Sequence, residues 1–173
     1  MKHLIIFTCS VLFTLQLGAC NEGDEGTTPV TEGVPTAELV SATDCKIFQQ
    51  FAVGPGSSGE SAVLYSYDAQ TEILSLTHVN AGFNCCPGKL SARLNIENRT
   101  ITIIEKEQEA ACRCNCLYDL EIEVRDLPTG NWRILFIEPY LHADDALLSF
   151  YVDLAADPTG EHHVPRNHYP WGI

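Results

Sequence analysis

The sequence lacks every short motif that would commit it to a reaction. It contains no glycine-rich phosphate loop, paired-histidine zinc helix or dinucleotide fingerprint. Ser57 and Ser58 stand in the glycine-rich segment Gly54-Pro55-Gly56-Ser57-Ser58-Gly59, but no Gly-x-Ser-x-Gly elbow is formed and no helical pattern follows. Asp144, Asp145, Asp153, Asp157 and Glu161 do not have the spacing of a calcium loop and read as solvated surface charge. Basic residues are scarce, with ten Lys and Arg against 23 Asp and Glu and a net charge of −13. That balance argues against nucleic acid and against electrostatic adhesion to anionic lipid, and leaves cationic ligands or uncharged partners. Long apolar runs are missing too, because the longest, residues 4–15, falls short of the ~20 residues a spanning helix needs. An enzyme is the less favoured reading, and no cofactor is implied.

What is present begins at the N-terminus. Met1-Lys2-His3 is a short positive start, the apolar stretch follows, and Leu17-Gly18-Ala19-Cys20 closes it with small residues before a cysteine. Charge, length and apolar core are those of a signal peptide over residues 1–19. The final four residues resemble the lipobox of bacterial lipoproteins. The resemblance implies cleavage before Cys20, acyl chains on that cysteine and attachment to a membrane, two chains being enough for stable anchoring. Asn21, where aspartate is the inner-membrane retention signal, implies the outer membrane, facing the periplasm or the cell surface. The mature chain would keep 154 of the 173 residues and lose one basic residue, Lys2, so its net charge moves from −13 to −14.

Eight cysteines occur. Cys9 would leave with the signal and Cys20 would take lipid, so Cys45, Cys85, Cys86, Cys112, Cys114 and Cys116 remain as disulfide candidates in an oxidising compartment. Six cysteines allow fifteen pairings. Cys112, Cys114 and Cys116 head a long period-two run, so their thiols share one face with β-carbons ~7 Å apart, too far to pair among themselves. Adjacent Cys85 and Cys86 would close a strained ring. Each ladder cysteine is therefore expected to pair with one of Cys45, Cys85 and Cys86, which leaves six arrangements. The rival reading is a thiolate metal site, although zinc sites usually use Cys-x-x-Cys turns rather than a straight row.

Residues 20–43 hold the lipidated cysteine followed by Gly, Thr, Pro and Glu with few large apolar groups, the composition of a flexible tether. Residues 44–156 show period-two alternation broken by turn formers. Candidate strands are 45–53, 61–67, 72–80, 89–97, 100–106, 113–126, 131–138 and 146–154. The pattern predicts an antiparallel β-sandwich of about seven to eight strands, with a small closed barrel as the alternative. Leu127-Pro128-Thr129-Gly130-Asn131-Trp132-Arg133-Ile134 is similar to a hairpin of immunoglobulin-like and transthyretin-like extracellular modules. Asn84-Cys85-Cys86-Pro87 and the cysteine ladder resemble small cysteine-rich outer-membrane lipoproteins, a likeness that carries no activity with it. Residues 157–173 read as a C-terminal tail in which His162, His163 and His168 are weak metal candidates. His78, at a strand end, reads as a rim residue bonded to a loop. The expected function is that of a lipid-anchored extracytoplasmic module with a binding, structural or assembly role. The alternative is a metal-handling or enzymatic lipoprotein using the cysteine cluster or the histidine tail.

Overall fold

The computed structural model describes residues 34–46 and 59–166. Its nine described strands are β1 (Thr36–Ala42), β2 (Gly59–Asp68), β3 (Ile73–Asn84), β4 (Leu90–Glu97), β5 (Thr100–Glu107), β6 (Asn115–Arg125), β7 (Asn131–Ile137), β8 (Ser149–Asp153) and β9 (Thr159–Arg166). They form two sheets, of order β1-β6-β3-β2-β9 and β4-β5-β7-β8. The molecule is a β-sandwich and not a closed barrel. Alternation does the building: Leu120, Ile122 and Val124 of β6 face Ile101 and Ile103 of β5 and Ile134 and Phe136 of β7 across the core, all of them buried. Each such side chain stabilises the fold by roughly 1.5 to 3 kcal/mol relative to exposure.

Three sequence expectations change. The tether was expected to run to residue 43, yet β1 lies inside it and pairs antiparallel with β6, Leu39 opposite Ile122. Only Ala37 and Leu39 of β1 pack on the core, too few large groups for composition to reveal a strand. The tail was expected from residue 157, yet β9 pairs along β2 from Gly59↔Arg166 to Ser66↔Thr159. Its pattern is blurred by Gly160, which sits opposite Tyr65 where a β-carbon would lie 2.5 Å from the phenol oxygen. The sandwich is also not wholly antiparallel: β5 and β7 run parallel, because β6 crosses to the other sheet between them and returns the chain in the same direction. The candidate strand at 45–53 falls largely outside the described residues; Lys46 alone is seen to bridge to Leu117. Residues 1–33, with Cys20, and 167–173, with His168, also lie outside them.

The two ends of the sandwich differ. One end carries the short links after β2, β4, β6 and β8, including the Asn98-Arg99 turn, in which both residues adopt positive φ (49° and 59°). The other end carries the longer connections, 108–114 and 138–148, together with all three disulfides. On β3 a bulge sets Val79 and Asn80 against the single residue Asp119, as the register shifts between His78↔Leu120 and Ala81↔Tyr118. Asn80 takes φ 64° there, a left-handed conformation that asparagine tolerates better than most residues. Leu74, Leu76 and His78 therefore face the core before the bulge, and Ala81 and Phe83 after it.

Candidate functional site

At the loop end, four strands and the residue after β7 each bring a polar side chain into the core. In β2 it is Ser61, two before Val63. In β3 it is His78, after Leu74 and Leu76, and in β5 Glu105, after Ile101 and Ile103. Glu138 follows Trp132, Ile134 and Phe136, and Arg166 ends β9 two beyond Val164. Ser61 and His78 have 0% exposure, Glu105 3% and Arg166 4%. His78 Nδ1 lies 2.6 Å from Glu105 Oε1, and His78 Nε2 lies 2.7 Å from Ser61 Oγ. Arg166 donates through Nη2 to Glu138 Oε2 at 2.5 Å and through Nη1 to the Ala146 carbonyl at 2.6 Å. Glu138 Oε1 stands 3.9 Å from His78 Nε2, and the Phe136 ring packs on the imidazole at 5.1 Å between centroids.

Burial acts to strip the His78 proton, but Glu105, by charge and hydrogen bond, and Glu138, by charge, outweigh it and hold the imidazole above its ordinary value. Burial pushes the Glu138 carboxyl up, against the pull of His78 and Arg166. With Arg166 and a charged His78 against Glu105 and Glu138, the cluster is neutral. Buried charges are tolerable only when paired in this way.

Ser61, His78 and Glu105 follow one another in the order of a hydrolytic serine relay. What separates them from that chemistry is access. Ser61 Oγ lies 2.7 Å from His78 Nε2 and 3.3 Å from the Val79 carbonyl, and its rotatable hydroxyl can donate to either. Ser61 and His78 have no exposed surface and are sealed between the sheets, out of reach of a substrate. The geometry is that of a fastening rather than a reacting site.

A second polar layer continues toward the disulfides. Glu107 accepts from the Asn84 backbone N–H at 2.8 Å and from the Tyr140 hydroxyl at 2.5 Å. That hydrogen bond, with burial, pushes the Tyr140 phenol up to about 12. Asn84 Oδ1 accepts from the N–H groups of Cys86 and Cys112, its Nδ2 donates to the Cys112 carbonyl, and its backbone carbonyl accepts from the Tyr118 hydroxyl. Beside this layer a groove of about 650 Å³ opens between β1 and β4, with Leu39, Cys45, Cys85, Pro87, Leu90 and Tyr118 among its walls.

The disulfides are Cys45–Cys116, Cys85–Cys114 and Cys86–Cys112, with Cα separations of 5.6, 5.6 and 5.4 Å. Each ladder cysteine takes one partner from the other three, one of the six expected arrangements, and the thiolate-site alternative has no free sulfur among them. The histidines of the expected tail separate: His162 turns inward and stacks on Phe150 at 4.8 Å, while its neighbour His163 turns outward between Glu60 (3.6 Å) and Glu161 (3.4 Å). Adjacent strand residues point to opposite faces, so these two cannot share an ion. No group of three His, Cys, Asp or Glu among the described residues is placed to hold a metal. Asp144 pairs with His142 at 3.7 Å, and Asp145 is buried, contrary to its reading as surface charge. Ser57 and Ser58 lie outside the described residues.

His78 is the main correction. A strand-end position suggested the rim, but β3 runs on past His78 to Asn84, which leaves it in phase with Leu76, buried and under the loops. Glu105, Glu138, Arg166 and Ser61 were not singled out by motif. The signal that finds them is a polar residue at the core phase of a strand, repeated at the same end of several strands. No protein-family model, curated protein or solved structure matches the chain.

Proposed function

We propose that the chain is a lipid-anchored extracytoplasmic module of the outer membrane that binds or assembles with a partner through its loop end. The observation that carries the reading is the pairing of all six cysteines downstream of Cys20 into disulfides. Such a framework belongs to an oxidising compartment, as does a chain whose N-terminus resembles a lipobox. The direction of β1 adds to it. Thr36 pairs with Arg125 at the tight-turn end, so a tether entering β1 pulls on that end. The disulfides, longer loops and groove lie at the other, and loops held on a rigid scaffold are where recognition concentrates.

The test is the mass of the mature protein from membranes of a producing bacterium, followed by density-gradient separation of those membranes. The expected result is a chain beginning at Cys20 with its acyl groups, banding with the outer membrane. A mature chain that begins elsewhere or carries an unmodified Cys20 would overturn the proposal.

A further inference from the structure

We propose that the outer face of the four-stranded sheet, β4-β5-β7-β8, docks on the acidic outer face of the five-stranded sheet of a second copy of the chain, so that molecules stack head to tail. Alternation decides what is left outside. The side chains of β5 and β7 that point away from the core include Ile104, Leu135 and Ile137, and Ile137 is 43% exposed. The ladder sets Arg93 beside Ile104 and Ile104 beside Ile137. It also sets Arg133 beside Tyr151, which is 82% exposed and lies 6.0 Å from the guanidinium. A sheet face in contact with water is normally polar. This one has an apolar centre flanked by arginine and tyrosine, the side chains that protein interfaces concentrate.

The cations on this face also lack carboxylates. Lys46 and Arg125, on or beside the five-stranded sheet, pair with Asp119 and Glu123, and the buried Arg166 pairs with Glu138. Arg93, Lys106 and Arg133 form no ion pair among the described residues, in a chain with 23 acidic residues against ten basic ones. Their complement stands on the other side of the same molecule. Ser41, Glu121, Thr77, Leu64 and Glu161 make one row across β1-β6-β3-β2-β9, with Leu64 43% exposed between the two carboxylates. On the same face Glu38 lies directly opposite Glu123, like charge against like, an arrangement that a cation from outside relieves.

The two faces match in scale as well as in sign. Glu121 and Glu161 are three strand spacings apart, about 14 Å. Arg93 and Arg133 are two spacings and four residues apart, about 17 Å, with Ile104 and Leu135 alongside. Sheets packed face to face lie about 10 Å apart, within reach of an arginine side chain. Self-repulsion at a net charge of −13 opposes association, so copies can meet only where unpaired cations find carboxylates, and three such cations gather here. Because the two faces lie on opposite sides of the sandwich, the contact is heterologous and does not close on itself: each added molecule offers a fresh face of each kind. The loop end and its groove stay open in such a stack.

The test uses the chain from residue 20 onward with Cys20→Ser, so that acyl groups take no part, and follows its mass by sedimentation equilibrium up to about 1 mM. Two variants reverse one face each, Arg93→Glu/Arg133→Glu and Glu121→Lys/Glu161→Lys, and a third carries all of these substitutions. The expected mass of the parent chain rises past the dimer without a plateau. Each single-face variant should associate at least about tenfold more weakly, and the combined variant should stack again because its charges are exchanged. The concentration series of the parent chain stands alone if a variant does not fold. A parent chain that stays monomeric, including one that instead binds vesicles of anionic lipid, would overturn the proposal. So would a dimer that grows no further, association untouched by Glu121→Lys/Glu161→Lys, or a folded combined variant that fails to recover it.

Discussion

Removing the disulfides one at a time should have unequal effects, because the three are nested. Cys86–Cys112 lies within Cys85–Cys114, and both lie within Cys45–Cys116. Sequence separations of 71, 29 and 26 residues would suggest contributions of the same order. Nesting changes that. With Cys85–Cys114 in place, the outer bond closes a loop of about 42 residues, from Cys45 to Cys85 and from Cys114 to Cys116, worth about 4 kcal/mol by chain entropy. Either inner bond, with the other intact, closes a ring of only about five residues and contributes no more than about 2 kcal/mol. Loss of both inner bonds also opens the whole 85–114 loop, a further ~3.5 kcal/mol, and should cost about 5.5 kcal/mol together. Urea unfolding of the paired Cys→Ala variants measures this directly. At an m-value of about 2 kcal/mol per molar, the Cys45/Cys116 variant should lose about 2 M in midpoint and each inner variant about 1 M or less. The buried Sγ of Cys116 adds a cavity term of the same sign to the outer variant. An inner variant as destabilised as the outer one would refute the reasoning.

Two further outcomes follow from single contacts. Gly160→Ala should cost about 1 to 3 kcal/mol, since the new methyl meets the Tyr65 hydroxyl and ring edge at 2.5 to 2.9 Å and displaces the ring from its stack on Phe150. Adding Tyr65→Phe, which removes the nearest atom, should recover part of that in thermal unfolding, and no recovery would place the cost elsewhere. Tyr140 should form phenolate only near pH 12, a late absorbance step at 295 nm that Tyr140→Phe abolishes. The hydrogen bond to Glu107 contributes about 1 kcal/mol below pH 10, lost as pH rises from 10 toward 12. A step that survives the substitution would count against that contact.

The fold was largely legible because alternation is a local signal. Leu90-Ser91-Ala92-Arg93-Leu94-Asn95-Ile96-Glu97 and the run from Cys116 to Arg125 declare their faces without help from the rest of the chain. The cysteine pairing was narrowed by the same geometry, since a ladder with one face cannot close on itself. β1 and β9 were not legible. Their stability comes from partners remote in sequence, β6 and β2, and their inward residues are small, sparse or histidine. The polar cluster escaped for a related reason. His78 and Glu105 stand 27 residues apart, and only the stacking of the sheets makes them neighbours. Read alone, each is a polar residue ending a strand. The same two-residue rhythm that buries isoleucine along β5 also buries its glutamate.

The bulge in β3 has a separate meaning as an insertion. Val79 and Asn80 occupy the space of one residue opposite Asp119, so a chain without Asn80 would join Val79 to Ala81 and restore an unbroken ladder. Leu74, Leu76, His78, Ala81 and Phe83 would all still face the core, because excision returns the strand to strict period two. The core therefore gives no reason for the extra residue. What it provides is outside the core: the Asn80 side chain donates to the Glu60 carbonyl and accepts from Lys46 Nζ, while its backbone N–H reaches Asp119. One added residue thus links the chain following β1 to β2, β3 and β6 on the outer face, beside the buried His78 cluster.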